Sequence, residues 1–292
     1  MCCLFCRERG ETQDTRFRMG INVRTGEGHC FNCDWRSHTA LVDVLCKLGM
    51  GDESAVLSSL PPLAKPEPLK PVRLPVGYES LLHVTENDSL FGPARRYIKK
   101  RGITVRQIQE HEVGATVADE MFSYRIIFPV RYERKLVGLV GRDWTNTSTK
   151  KYLNSIGPRS VYNANHQRYG FKFIVVSEGV IKALAIERAT RYKVCSASLL
   201  GNQMSERQME ILTQWKEVCI FADPDAEGMK GFLKVAQTLQ PHVSRVTFAW
   251  PWPKLQADDM DEPDILRALH NRREFSPIVH ARIKLEMTER AE

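Results

Sequence analysis

Phe173-Ile-Val-Val-Ser177-Glu178-Gly179 and Val218-Cys-Ile-Phe-Ala222-Asp223-Pro-Asp225-Ala-Glu227-Gly228 decide how this 292-residue chain is read. Each is a short apolar run ending on acidic residues and a glycine. Runs of this length and texture are strands buried on both faces. Helical spacing follows each, over residues 180–190 and 229–239. The alternation continues through a short strand at 193–196, a helix over 205–215 opened by Ser205, and a strand over 243–250. Strands alternating with helices build a parallel sheet covered by helices.

In such a sheet the carboxyl ends of the strands share one edge, where ligands collect. Glu178, Asp223 and Asp225 should meet there. A third acidic stretch, Asp258-Asp259-Met260-Asp261-Glu262-Pro263-Asp264, should join them. Gathered carboxylates repel one another and demand a hard cation. Magnesium or manganese is expected, brought in with substrate phosphates. Glu227 reads as a solvated helix-start residue, and Gly228 as the point where turn and helix approach closely.

Upstream, residues 78–170 mix helix and strand. Helices are expected over 93–101, stopped by Gly102, and over 104–111, capped by Thr104. Arg125-Ile-Ile-Phe-Pro-Val130 and Leu136-Val-Gly-Leu-Val-Gly141 read as a hairpin joined by the charged turn 131–135. Arg125 and Arg142 flank these strands as edge charges, and Lys151 lies in a polar loop. Residues 60–75 hold six prolines, two lysines and an arginine, a composition that favours an extended linker.

Five of the eight cysteines fall in the first 33 residues. Cys3-x2-Cys6 and Cys30-x2-Cys33, with 23 residues between the pairs, supply four thiolates for a closed, structural tetrahedral zinc. A hairpin at 17–25 would span the gap. Cys2 could replace Cys3, and His29 could compete as a ligand. Phe5 and Phe31 read as the small core of this ribbon. Trp35, with Arg7, Arg9, Arg18, Arg24, Arg36 and His38, is placed to stack on bases and hold phosphates. Cys46, Cys195 and Cys219 read as core residues.

The composition agrees with an intracellular nucleic-acid binder. The net charge is +7, and 42% of the residues are hydrophobic, enough for real cores. No run of about 18 or more apolar residues occurs, so no membrane span is expected. Behind the first charges there is no apolar signal-peptide core. A cytoplasmic location is the expectation, where thiols stay reduced.

Taken in order, these motifs resemble the DnaG-type primases of bacteria and phages. The matching stretches are Cys3-x2-Cys6, His29-Cys-Phe-Asn-Cys33-Asp-Trp35, Arg125-Ile-Ile-Phe-Pro-Val130, Gly138-Leu-Val-Gly-Arg142, Lys151-Tyr-Leu-Asn-Ser155, Val176-Ser-Glu178-Gly179 and Asp223-Pro-Asp225-Ala-Glu-Gly228. The resemblance implies an α+β and α/β multidomain chain: a zinc ribbon over 1–50, a Pro-rich linker over 51–77 and a mixed RNA polymerase subdomain over 78–170. A Toprim metal-binding domain over 171–270 and a charged tail over 271–292 complete it. The resemblance implies template-directed synthesis of short RNA primers, with single-stranded DNA and ribonucleoside triphosphates as partners. A replicative helicase would be a separate partner, since the chain ends soon after the Toprim region.

The resemblance also implies roles. Glu178 is the Toprim glutamate, acting as general base or metal organiser. Asp223 and Asp225 are metal-binding aspartates, and Asp264 closes the third motif. There Glu262 stands where the family has aspartate, with Asp261 as a substitute. Arg125, Arg142, Lys151 and Asn154 face template or nucleotide. Two departures stand out: Cys6 occupies a position where many family ribbons carry histidine, and Lys182 one where the family often carries aspartate. A non-catalytic single-strand binder and another Toprim DNA enzyme are the competing functions.

Overall fold

The computed structural model describes residues 1–22, 27–37, 40–49, 68–164, 171, 173–250 and 254–291. The chain divides into two compact units, Met1–Pro66 and Glu67–Glu292, and the division falls inside the Pro-rich stretch. Arg24, His38 and the part of that stretch up to residue 67 lie outside the described residues.

The first unit is built on an antiparallel three-stranded sheet, β1 (Met19–Ile21), β2 (Gly28–Cys30) and β3 (Arg36–Ser37), with α1 (Ala40–Lys47) beside it. Its core is Met19, Trp35, Ala40, Val44 and the four paired cysteines. Gly28 is required where strand and helix touch: a Cβ there would stand 2.3 Å from that of Ala40. Cys46 is exposed, contrary to expectation, because it lies on the outer face of α1.

The second unit contains two five-stranded sheets. The first is an antiparallel meander of β4 (Glu79–Ser80), β5 (Gly114–Thr116), β6 (Arg125–Tyr132), β7 (Lys135–Asp143) and β8 (Tyr152–Asn154). The β6–β7 turn places Glu133 and Arg134 at φ 49° and 67°, the paired left-handed conformation that matches strand twist. Strand alternation sends Ile126, Phe128 and Val130 to one core, while Ile127 and Leu139 pack with Phe122 in another. α2 (Gly92–Lys100) and α3 (Val105–Glu110) complete this half. Thr104 and Gln107 form a reciprocal cap on α3.

The other sheet has the order β10 (Cys195–Ser198), β9 (Phe173–Ser177), β11 (Glu217–Ile220), β12 (Arg245–Phe248), β13 (Arg273–Glu274). Its first four strands are parallel and β13 is antiparallel. The crossover helices are α4 (Val180–Ala189), α5 (Glu206–Leu212), α6 (Ala226–Leu239) and α7 (Glu262–His270). β9 connects outward to β10 on one side, and β11 to β12 on the other. The crevice between the carboxyl ends of β9 and β11 is therefore a topological switch point.

α4 belongs to both halves: Val180, Ile181 and Leu184 pack with the meander, and Ile186 and Ala189 with the parallel sheet. Polar ties reinforce the seam, with Gln107 donating to the Leu184 carbonyl at 2.7 Å and His111 lying 2.9 Å from Glu187.

The segment after Asn271 corrects the expected charged tail. β13 pairs with β12, and α8 (Pro277–Ala291) buries Val279 and Ile283, with Met287 packed alongside. Those residues recur every four positions, so one face of α8 is apolar despite its charge. Among the described residues no helix is long and apolar enough to cross a membrane.

Candidate functional site

The four paired cysteines are buried and their Sγ atoms all lie within 4.8 Å of one another. Cys3 and Cys33 are 3.8 Å apart, as are Cys6 and Cys30. Four thiolates held at about 2.3 Å by a tetrahedral zinc would stand about 3.8 Å apart, so the donor set fits that ion. Backbone N–H groups of Phe5 and Asn32 donate to Cys3 and Cys30, and the Asn32 amide donates to Cys6. Burial pushes the Cys3 and Cys33 thiols above their ordinary range, a cost that a bound cation reverses.

Asp14, unforeseen from the sequence, braces the first knuckle. It is 1% exposed and accepts from the backbone of Cys3, Arg16 and Arg18. Burial alone would raise its carboxyl, but these donors hold it below the usual range. Cys2 and His29 are outside the cluster, and His29 pairs with Asp34 at 2.8 Å.

Two expectations for the ribbon surface are corrected. Trp35 is 8% exposed and stacks on Phe5 at 4.4 Å, so it is core and offers no free face to a base. Phe31, expected inside, is exposed against His29. Arg36 does face solvent, paired with Asp34.

At the switch-point crevice the ends of β9 and β11 present Glu178 and Asp223 side by side. Burial, then the neighbouring Asp223 carboxylate, pushes Glu178 up to about 7, with Lys182 pulling the other way. Lys182, on the first turn of α4, hydrogen-bonds Asp223 and lies 3.7 Å from Glu178. Asp225 caps α6, accepting from Gly228 N at 2.7 Å. Gly228 is needed there, since a Cβ would stand 2.9 Å from that of Asp223.

The third acidic stretch does not complete this group. Asp261 caps α7 by accepting from Asp264 N, and Asp264 pairs with Arg267 at 2.8 Å. Among the described residues the four cysteines are the one set of three or more His, Cys, Asp or Glu side chains that converges. Local capping wins because Asp261 stands directly before the first turn of α7. Asp258 instead turns inward, 2.9 Å from Arg101.

The basic residues also divide. Arg125 is 5% exposed, and its guanidinium donates to Ser148 Oγ and to the carbonyls of Lys150 and Lys151. It holds the loop after β7 and spends its donors there. Asp143 braces the same loop through Thr145 and Ser148. Arg142 is 6% exposed, donating to the Tyr97 hydroxyl and lying over the Tyr97 and Tyr152 rings. Asn154 donates to the Leu200 carbonyl, tying β8 to the loop after β10. Lys150, Lys151 and Tyr152 stay exposed.

Family descriptions match on both halves of this unit: "DNA primase catalytic core, N-terminal domain" over residues 115–175 and "Toprim domain" over 172–249. Residues 115–249 thus resemble the catalytic core of DnaG-type primases. A DNA primase of Buchnera aphidicola subsp. Baizongia pistaciae is 26% identical over 162 residues, spanning 50% of this chain and 27% of that protein. The chain thus matches about a quarter of the length of this relative. Two solved structures share the fold of the primase core. The DnaG primase catalytic domain bound to ssDNA has TM-score 0.56 at 18% identity, covering 64% of this chain and 74% of its own. The zinc-binding and RNA polymerase domains of the Aquifex aeolicus primase have TM-score 0.55 at 16% identity, covering 91% and 77%.

Proposed function

We propose that the chain synthesises short RNA primers on single-stranded DNA from ribonucleoside triphosphates. The 3′ hydroxyl of one nucleotide attacks the α-phosphate of the next, and pyrophosphate leaves. The observation that carries this reading is the Glu178–Asp223 pair at the switch point of a parallel sheet, within a primase core. Glu178, Asp223 and the free oxygen of Asp225 would hold magnesium or manganese, which when bound neutralises and orients the phosphates. Glu178, with its carboxyl lifted to about 7, is suited to take up a proton at the reacting hydroxyl.

The remaining residues position the substrates. Lys150 and Lys151 offer two ammonium groups to template phosphates, on a loop that Arg125 and Asp143 keep in shape. The exposed ring of Tyr152 offers a stacking face. Arg142 fixes that ring from beneath and acts as a positioning residue. The cysteine thiolates hold structural zinc in the ribbon, whose exposed Arg36 lies on the same small unit and can contact template phosphate. The test is incorporation of labelled ribonucleotides on single-stranded DNA: Glu178→Gln should abolish it without lowering the melting temperature. Wild-type yield from that variant would refute the assignment.

A further inference from the structure

Lys182 is the cation of the acidic site that the fold itself supplies. It follows Glu178 by one helical turn, and its Nζ sits between Asp223 Oδ2 and Glu178 Oε2. Its side chain is 15% exposed and that of Asp223 is 4% exposed, so this is no solvated surface pair. Gly179, which opens α4, leaves the lysine stem room: a Cβ there would meet Lys182 Cδ only at 3.9 Å. When ionised, as metal binding requires, the three carboxylates Glu178, Asp223 and Asp225 carry three negative charges. One ammonium among them then leaves two, the charge of a single divalent ion.

We propose that Lys182 is a built-in counter-ion that takes one cation position, so that the acidic site binds one divalent ion fewer than its carboxylates alone would. This rests on the reading of that site as a metal-dependent active site. A tethered ammonium is always present and needs no dehydration of a free ion, whereas Mg²⁺ sheds its waters reluctantly. The consequence is local: the ammonium screens Glu178 from Asp223 in the absence of nucleotide, and the remaining divalent ion must be shared with Asp225.

The test is a manganese titration of the zinc-loaded full chain without nucleotide, followed by electron paramagnetic resonance. Wild type is compared with Lys182→Met, Lys182→Asp and the charge-keeping Lys182→Arg, and thermal melts check that each is folded. The Met and Asp variants should each bind one additional Mn²⁺ per chain, or bind the first tighter by about tenfold. The Arg variant should match wild type. Wild-type stoichiometry and affinity in both the Met and Asp variants would overturn the proposal, as would the absence of any Mn²⁺ binding to all four proteins. Failure of the primase reading looks different: the manganese counts would change as expected, yet no primer would form.

Discussion

The cysteine cluster of the first unit and the acidic crevice of the second both gather ionisable side chains from distant parts of the chain, and they are built in opposite ways. The cysteines are buried, their Sγ atoms all lie within 4.8 Å of one another, and each knuckle is braced by a backbone N–H group. The crevice brings only Glu178 and Asp223 together, sends Asp225 to a helix cap and inserts Lys182 between the pair. A closed soft-ligand site stabilises a fold, whereas an open hard-ligand site with its charge partly met leaves room for substrate.

The largest effect that would sharpen this contrast is loss of a ribbon thiolate. Structural zinc in a module this small contributes about 10 kcal/mol or more. Cys30→Ser should therefore empty the site by metal analysis and unfold the ribbon, while the melt of the second unit persists. Full zinc content in the purified variant would break the ligand set.

A smaller loss is expected at Arg125. Removing its guanidinium in Arg125→Met strands two carbonyls and should cost about 2 kcal/mol in chemical denaturation. Template binding should weaken through loop disorder, without a lower salt slope. If stability is unchanged and only the salt slope falls, Arg125 is a phosphate contact after all.

The seam between the two halves of the core adds a pH signature. Burial would raise the Glu187 carboxyl, but donors from His111, Gln107 and Asn163 hold it below its ordinary 4.5. A carboxyl depressed on folding stabilises the protein above its unfolded value. That contribution drains away as pH falls through the lower folded value. Denaturation midpoints of wild type should therefore fall more steeply below about pH 4.5 than those of Glu187→Gln. Parallel curves would remove Glu187 from the seam.

The smallest effect belongs to the surface. Lys151→Ala should lower the slope of log affinity against log salt by about 1 and weaken binding evenly across template sequences. A sequence-selective loss would contradict a phosphate role.

Much of this was legible in the residues themselves. The paired Cys-x2-Cys spacing, the alternation after Phe173, the caps at Thr104 and Ser205 and the charged turn after β6 are local signals, and the fold follows them. The misreadings share a cause: residue type does not reveal tertiary partners. Arg125 looks like an edge charge until the loop carbonyls 25 and 26 positions later close on it. Trp35 looks like a stacking platform until Phe5 covers its face. Asp261 could have been read correctly, since an aspartate just before Glu-Pro at the start of a helix is a capping signal. The apolar stripe Val279, Ile283, Met287 was equally visible, hidden only by the charge around it.

Primer synthesis at the Glu178–Asp223 crevice is decided by incubating the full chain with single-stranded DNA, labelled ribonucleotides and magnesium or manganese, beside Asp223→Ala. Short RNA products from wild type and none from the variant are predicted. Equal product from both, or none from wild type over a panel of templates with either metal, would contradict it.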